Sequence, residues 1–305
     1  MVDIVAQKQD ASNYTSERQM KIVVTGAGGM LGRALTPCLE KRRHEVIALP
    51  KEELDVTNFA EVRSTLQKVK PDLVIHSAAY TKVDQAESEP GLAYFINGYG
   101  TENLAVAAGD LDIPVLYVSS DYVFDGEQKQ PYTTWDKTRP LSIYGKSKLA
   151  GEEAVQRHLN RFYIVRTSWL YGPHGSNFVD TITRMAGERK QLRVVSDQVG
   201  TPTCTLTLSE VIADLIVTNR WGVYHATDEG VTNWWEFARE IVKGKDVEVV
   251  PIETKDFPRP ATRPKYSVLD KTTLISTIGR ELTPWQDALQ RYLALNVEGK
   301  KALSR

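Results

Sequence analysis

The segment KIVVTGAGGMLGRAL, residues 21–35, constrains this chain more than any other: a β-branched run breaks into glycines and resumes as a helical pattern. Gly26, Gly29 and Gly32 stand between the strand and the helix. Glycines there permit a tight turn and let backbone amides approach a pyrophosphate at the helix N-terminus, so a dinucleotide is the expected ligand. The spacing is GxxGxxG rather than GxGxxG, because Leu31 stands where the latter needs its last glycine. A glycine-rich turn with no ligand carries the same local pattern, so this segment alone identifies no enzyme.

Beyond the glycines, strand-like and helix-like segments alternate. IVV (22–24), EVIAL (45–49), DLVIH (72–76), PVLYVSS (114–120) and FYIVRTS (162–168) read as strands. Helical stretches separate them: residues to about Arg43, then 58–69, about 91–109 and about 143–158. Short strands alternating with helices imply βαβ units, a parallel sheet and an α/β fold of the doubly wound, Rossmann type. Past Trp169 the loops become rich in Gly, Pro and Thr (YGPHGSN, DQVGTPT, DFPRPATRPKYS) among shorter helices near 207–218 and 234–242. Residues 21–170 are therefore read as the dinucleotide-binding domain and 171–305 as a smaller, mainly substrate-binding portion, with an approximate boundary that the chain can cross back over. Residues 1–20, polar and aperiodic, are read as a disordered extension or tag.

Composition narrows the partners. A formal charge of −1 over 305 residues gives no bulk field for nucleic acid or an anionic membrane, and a small molecule fits better. The apolar runs fall short of a membrane span and there is no signal peptide pattern, so a cytoplasmic protein is expected. Two cysteines, Cys38 and Cys204, form no disulfide framework, and five histidines form no metal-ligand spacing.

SIYGKSKLAGEEA (142–154) puts Tyr144 and Lys148 four residues apart, on one face of a helix. An ammonium beside a phenol stabilises the phenolate, so the tyrosine pKa is expected to fall toward the range of a general acid. A YxxxK match is weak by itself. Here it comes after the fourth strand of a chain with a glycine loop, and Ser119 and Ser120 close that strand. A hydroxyl, a tyrosine and a lysine together can hold and protonate a carbonyl oxygen while a nicotinamide delivers hydride. About twenty residues after the glycines, where an acid would meet the adenosine ribose of NAD, stand Leu49, Pro50 and Lys51. A 2′-phosphate meets no repulsion there, and Lys51 or Arg33 can pair with it. NADPH is therefore expected, with NADH accepted. Asp55 reads either as a contact to the adenine or as a cap for the next helix.

TGxxGxxG (25–32), a hydroxyl residue after the fourth strand and YxxxK resemble the extended short-chain dehydrogenase/reductase superfamily. HSAAYTKVDQAESEP (76–90), SSDYVFDG (119–126), YGKSKLAGE (144–152), RTSWLYG (166–172), NFV (177–179), DQVGTPT (197–203) and RPKYS (263–267) resemble, within it, the dTDP-4-dehydrorhamnose reductase family over nearly the whole chain from Lys21. The resemblance implies NAD(P)H-dependent reduction of the C4 ketone of dTDP-4-dehydro-6-deoxy-L-mannose. It makes Tyr144 the proton donor, has Lys148 bind the nicotinamide ribose and lower the tyrosine pKa, and gives Ser120 the place where many members carry threonine. It implies cofactor contacts along Gly29, Met30 and Leu31, then Asp55 and Val56, then Ala79, Tyr80 and Thr81. For the sugar nucleotide it points to Ser120, Asp121 and Trp169, with Val83, Asn177 and Arg263 as further candidates. Pro50 and Tyr80 depart from some members, and both bear on nucleotide preference.

Blander readings stand beside several of these. Trp169 reads equally as a core aromatic, Arg263 as one side of a structural ion pair, His76 as a satisfied core histidine, and Trp234 and Trp235 as lid packing. Two other functions compete. A dehydratase or epimerase of the same superfamily is one, but a dehydratase needs a glutamate after Asp121, where Tyr122 stands. A non-catalytic regulatory subunit, resembling the β subunit of methionine adenosyltransferase, is the other, and the intact Ser120, Tyr144 and Lys148 argue against it. Sequence alone leaves open monomer or homodimer and whether a structural Mg²⁺ is bound; no catalytic metal is expected.

Overall fold

A computed structural model of the chain describes residues 19–303, so the expected N-terminal extension lies, up to residue 18, outside the described residues. In chain order come β1 Lys21–Thr25, α1 Met30–Lys41, β2 Glu45–Leu49, α2 Phe59–Val69 and β3 Leu73–His76. Short helices α3 Val83–Ala86 and α4 Pro90–Tyr94 then run through a π-helical turn, Phe95–Gly100, into α5 Thr101–Asp110. β4 Val115–Ser120, α6 Ile143–His158 and β5 Phe162–Thr167 complete the alternation. Polar caps start two of these helices: Asn58 accepts from the Glu61 amide ahead of α2, and Ser142 from the Gly145 amide ahead of α6.

The strands pair in parallel in the order β2-β1-β3-β4-β5, and the strand Gly222–His225 adds itself to the free side of β5. A crossover to β2 on one side and to β3 on the other makes the gap between β1 and β3 the switch point, the crevice where ligands bind in open α/β sheets. The familiar dinucleotide order 3-2-1-4-5-6 has one strand more on the first side, and its crevice is the same. Because the chain returns for Gly222–His225, a cut near residue 170 leaves one strand of the sheet, and the helix Thr205–Ile216 that covers it, on the far side.

Side chains alternate across each strand and both faces are covered, which is why the strands read as continuous apolar runs. Ile22, Val24, Ile75 and Val118 face Leu31, Leu35 and Leu39 of α1 and Leu208, Ile212 and Leu215 of the helix Thr205–Ile216. Val23, Val74, Val115 and Tyr117 face α2, α5 and α6 through Leu66, Leu104 and Val155. Each fully buried leucine in these layers contributes roughly 1.5–3 kcal/mol. A separate core holds the capping portion, with Tyr171, Ile182, Phe237, Trp285 and Tyr292 at its centre.

Candidate active site

The glycine turn sits where the ends of three strands meet. The Ala27 amide donates to Leu49 O at the end of β2, and the Ser77 amide, just past β3, donates to Thr25 O. Gly26 has φ +67°, and a Cβ there would lie 2.5 Å from the Ala78 backbone. Gly29 caps α1 by backbone alone; no side chain occupies the first-turn amides and no acidic residue stands in that turn to repel an anion. That donor set fits a pyrophosphate lying along Gly29, Met30 and Leu31. Gly26→Ala is expected to lower stability by about 1–3 kcal/mol and weaken NADPH binding, because it strains the backbone and pushes β3 off the turn. Thermal unfolding and a fluorescence titration with NADPH check this.

Beyond β3, the loop Ala79–Thr81 is fixed by a residue that the sequence did not single out. Asn97 is fully buried in the π-helical turn; its Oδ1 accepts from the Tyr80 amide at 2.7 Å and its Nδ2 donates to Tyr80 O and to Ser147 Oγ. Ser147 Oγ in turn donates to Tyr144 O. One amide thus ties the loop expected to meet the cofactor to the helix carrying Tyr144 and Lys148. The π turn is what aims it, a device common at functional sites and one that apolar spacing over 91–109 does not reveal. Thr81 is exposed and Val83, which opens α3, is half-buried.

Ser120, Asp121, Tyr144 and Lys148 converge at the end of β4. Ser120 accepts from the Tyr122 amide and donates to Asp121 Oδ1 at 2.9 Å. Burial pushes the Asp121 carboxyl up to about 6, opposed by the nearby Ser267 and Ser120 hydroxyls, and its Oδ2 is buried with no hydrogen-bond partner among the described residues. Tyr144 is half-buried, with Tyr122 packed edge-on to its ring. Burial pushes its phenol up to about 12, the Asp121 charge adds to the rise, and the hydrogen bond with Ser120 opposes it. The expected fall therefore does not occur in this structure. Lys148 is buried, donates from Nζ to Val118 O at 2.8 Å and lies 4.2 Å above the Tyr117 ring, and burial pushes it down to about 7. One of its N–H bonds is thus committed to the Val118 carbonyl.

Other candidates are placed differently. Asp55 accepts from the Thr57 amide and hydroxyl in a local turn, while Asn58 caps α2, so Asp55 is not the cap. Val56 is buried, and its carbonyl accepts from Asn103. Trp169 is half-buried and stacked on Trp234 with centroids 3.7 Å apart, and Gly200 packs so closely that a Cβ there would lie 2.7 Å from the indole. Asn177 is committed to the scaffold: it caps the helix Phe178–Glu188 and its Nδ2 donates to Gly172 O and Asp180. Arg263 makes the ion pair, two parallel hydrogen bonds at 3.0 Å to Asp84, and Arg259 holds the same carboxylate. In both cases the polar head finds a buried or half-buried partner, distant in sequence or local to a helix end. His76 is the satisfied core histidine, between Thr25 and Thr101 hydroxyls. Among the described residues no cluster of three or more His, Cys, Asp or Glu is placed to hold a metal.

Residues 20–297 match the family model described as RmlD substrate binding domain. The chain is 42% identical over 289 residues to dTDP-4-dehydrorhamnose reductase of Aggregatibacter actinomycetemcomitans, covering 90% of this chain and 98% of that one. It is 36% identical over 281 residues to dTDP-4-keto-6-deoxy-D-glucose reductase of Streptomyces niveus, covering 90% and 98%. Among solved structures, dTDP-4-dehydrorhamnose reductase of Bacillus anthracis in complex with NADP superposes with a TM-score of 0.88 at 40% identity, covering 91% of this chain and 99% of that one.

Proposed function

This chain belongs to the RmlD substrate binding domain family, and on that premise we propose that it reduces the C4 ketone of dTDP-4-dehydro-6-deoxy-L-mannose to dTDP-L-rhamnose with NADPH, closing dTDP-rhamnose biosynthesis. The observation that carries the reading is the meeting of Ser120, Tyr144 and Lys148 at the end of β4, beside a dinucleotide cradle. When bound, the reduced nicotinamide supplies the hydride to C4. Tyr144 holds the proton that the developing alkoxide takes from its phenolic oxygen. Ser120 Oγ hydrogen-bonds the same substrate oxygen, Lys148 takes the nicotinamide ribose, and Asp121 and Trp169 line the sugar side. Tyr122 packs against Tyr144 where an eliminating enzyme needs a carboxylate, so reduction is favoured over dehydration.

NADPH is favoured over NADH because the end of β2 presents Pro50 and Lys51 instead of an acid, and Arg33, donating from Nε to Gly28 O at 2.9 Å, lies over the glycine turn. The assay is loss of reduced-nicotinamide absorbance against a panel of nucleotide 4-keto sugars, with the 4-keto-6-deoxy-D-glucose diastereomer included. Turnover with the L-mannose ketone and a lower KM for NADPH than for NADH are expected. Protein purified saturated with NAD would favour an epimerase, and a stable complex with an unrelated synthase without any oxidation of NADPH would favour the regulatory subunit.

Among the described residues no helix is long and apolar enough to cross a membrane, and the cytoplasm is the proposed compartment. For assembly, the proposal is monomer or homodimer. Leu92, Tyr94, Phe95 and Tyr99, each at least 40% exposed, form the apolar face that a second copy would cover, and light scattering decides.

A further inference from the structure

The end of β4 grips α6 at two successive residues, with a third beside them. Val118 O accepts from Lys148 Nζ and Ser119 Oγ donates to Glu152 Oε1 at 2.5 Å, while the Ser120 hydroxyl acts on the Tyr144 phenol, opposing the rise of its pKa. Tyr144, Lys148 and Glu152 are four residues apart, so they stand one above another on a single stripe of the helix. Two of the three belong to the proposed reduction; Glu152 has no assigned part. It is 1% exposed, and Arg166, 4% exposed on β5 and in register opposite Ser119, closes on it with Nε at 2.9 Å and a second nitrogen at 2.7 Å. Phe124 covers the guanidinium, and His225, in register opposite Arg166, approaches it at 3.5 Å.

An ion pair taken wholly out of water is a poor way to stabilise a fold, since apolar residues of the same volume commonly do as well or better. Its place one turn beyond Lys148 gives it another use. Resting on the reductase reading, we propose that Glu152, oriented by Ser119 and Arg166, is a positioning residue whose charge keeps the Lys148 ammonium protonated under the Tyr144 site. No other carboxylate among the described residues bears on that ammonium as directly. His76 on β3 faces it and is itself neutral, pushed down to about 3 by burial and then by Lys148. Tyr117 from β4 offers its ring and Tyr144 a neutral phenol, while Asp121, just past β4, acts on that phenol. Burial drives Lys148 down, and Glu152 is the group that pulls it back up. Arg166 holds the same carboxylate from β5, while Glu152 stands one turn from Lys148 on α6.

Glu152→Gln removes the upward pull, so Lys148 loses its proton at lower pH and the alkaline decline of kcat begins earlier. In ¹⁵N-lysine-labelled free protein, the Lys148 Nζ titration midpoint measured by NMR is expected to fall by about one pH unit or more, and the alkaline limb of kcat to move with it. Glu152→Asp should restore most of both. Because Glu152→Gln strands the Arg166 charge, the paired variant Glu152→Gln/Arg166→Met, which leaves no stranded guanidinium, is measured beside it and is expected to shift the same way by a smaller amount. A uniform loss of kcat at every pH, with the Lys148 midpoint unmoved, would assign Glu152 a merely structural part and overturn the proposal. Wild-type protein that fails to oxidise NADPH with every keto sugar of the panel would overturn the reductase reading, while the Lys148 titration would still decide this one.

Discussion

Tyr144→Phe is expected to lower kcat by about 10²–10⁴-fold while leaving the Kd for NADPH near that of the wild type. The substitution removes one hydroxyl and keeps the ring that packs edge-on against Tyr122, so the loss isolates the proton. In the free protein the phenol holds that proton tightly, because burial and the neighbouring Asp121 charge both oppose a phenolate. This suits a donor, whose proton must stay until an alkoxide, a far stronger base, develops within reach. Ser120 is the counterweight, the neighbouring group that opposes the rise of the phenol pKa. Single-turnover measurement of NADPH oxidation at saturating sugar, alongside a fluorescence titration of NADPH, separates the chemical step from binding. Turnover within a few fold of wild type would mean that another group supplies the proton.

The parts of this protein written in short-range spacing are readable from the sequence, and those made by register are not. KIVVTGAGG announces its strand, its turn and its helix because φ +67° at Gly26 and the absence of a first-turn side-chain cap are both local requirements. Tyr144 and Lys148 are readable for the same reason, as i and i+4 on one helix face. Asn97 is not, since its aim depends on a π turn that widens one helical repeat, and apolar periodicity does not mark it. Nor is the Ser119–Glu152–Arg166 row, which exists only once β4 and β5 pair with Ser119 opposite Arg166. Arg263 shows the converse. A guanidinium in a proline-rich loop suits pyrophosphate or an ion pair alike, and only the fold shows Asp84 brought to it from 179 residues away. Even the tyrosine–lysine pair is legible only in position. Its electrostatics also depend on burial and on the carbonyl of Val118, which accepts one of the hydrogen bonds of the ammonium.

Lys148→Met tests whether that buried ammonium is held for chemistry or for the fold. Methionine fills a similar linear space without charge, so the packing on Tyr117 is largely kept. Turnover is expected to fall by about 10²–10³-fold and the KM for NADPH to rise, because the lysine serves both the ribose and the electrostatics of the phenol. Stability is expected to move the other way. Burial holds the folded Lys148 at about 7, below its ordinary value of 10.5, so the folded form binds this proton more weakly than the unfolded chain does. The cost is therefore complete below pH 7, shrinks as pH rises through the interval between the two values, and is gone above it. At pH 6 the Tm of Lys148→Met should equal or exceed that of the wild type, and the difference should narrow toward pH 9. A variant that loses turnover while its Tm holds would show a charge retained against the preference of the fold; a Tm that drops at pH 6 would show instead that the bonds to Val118 O and the Tyr117 ring outweigh the burial of the ammonium.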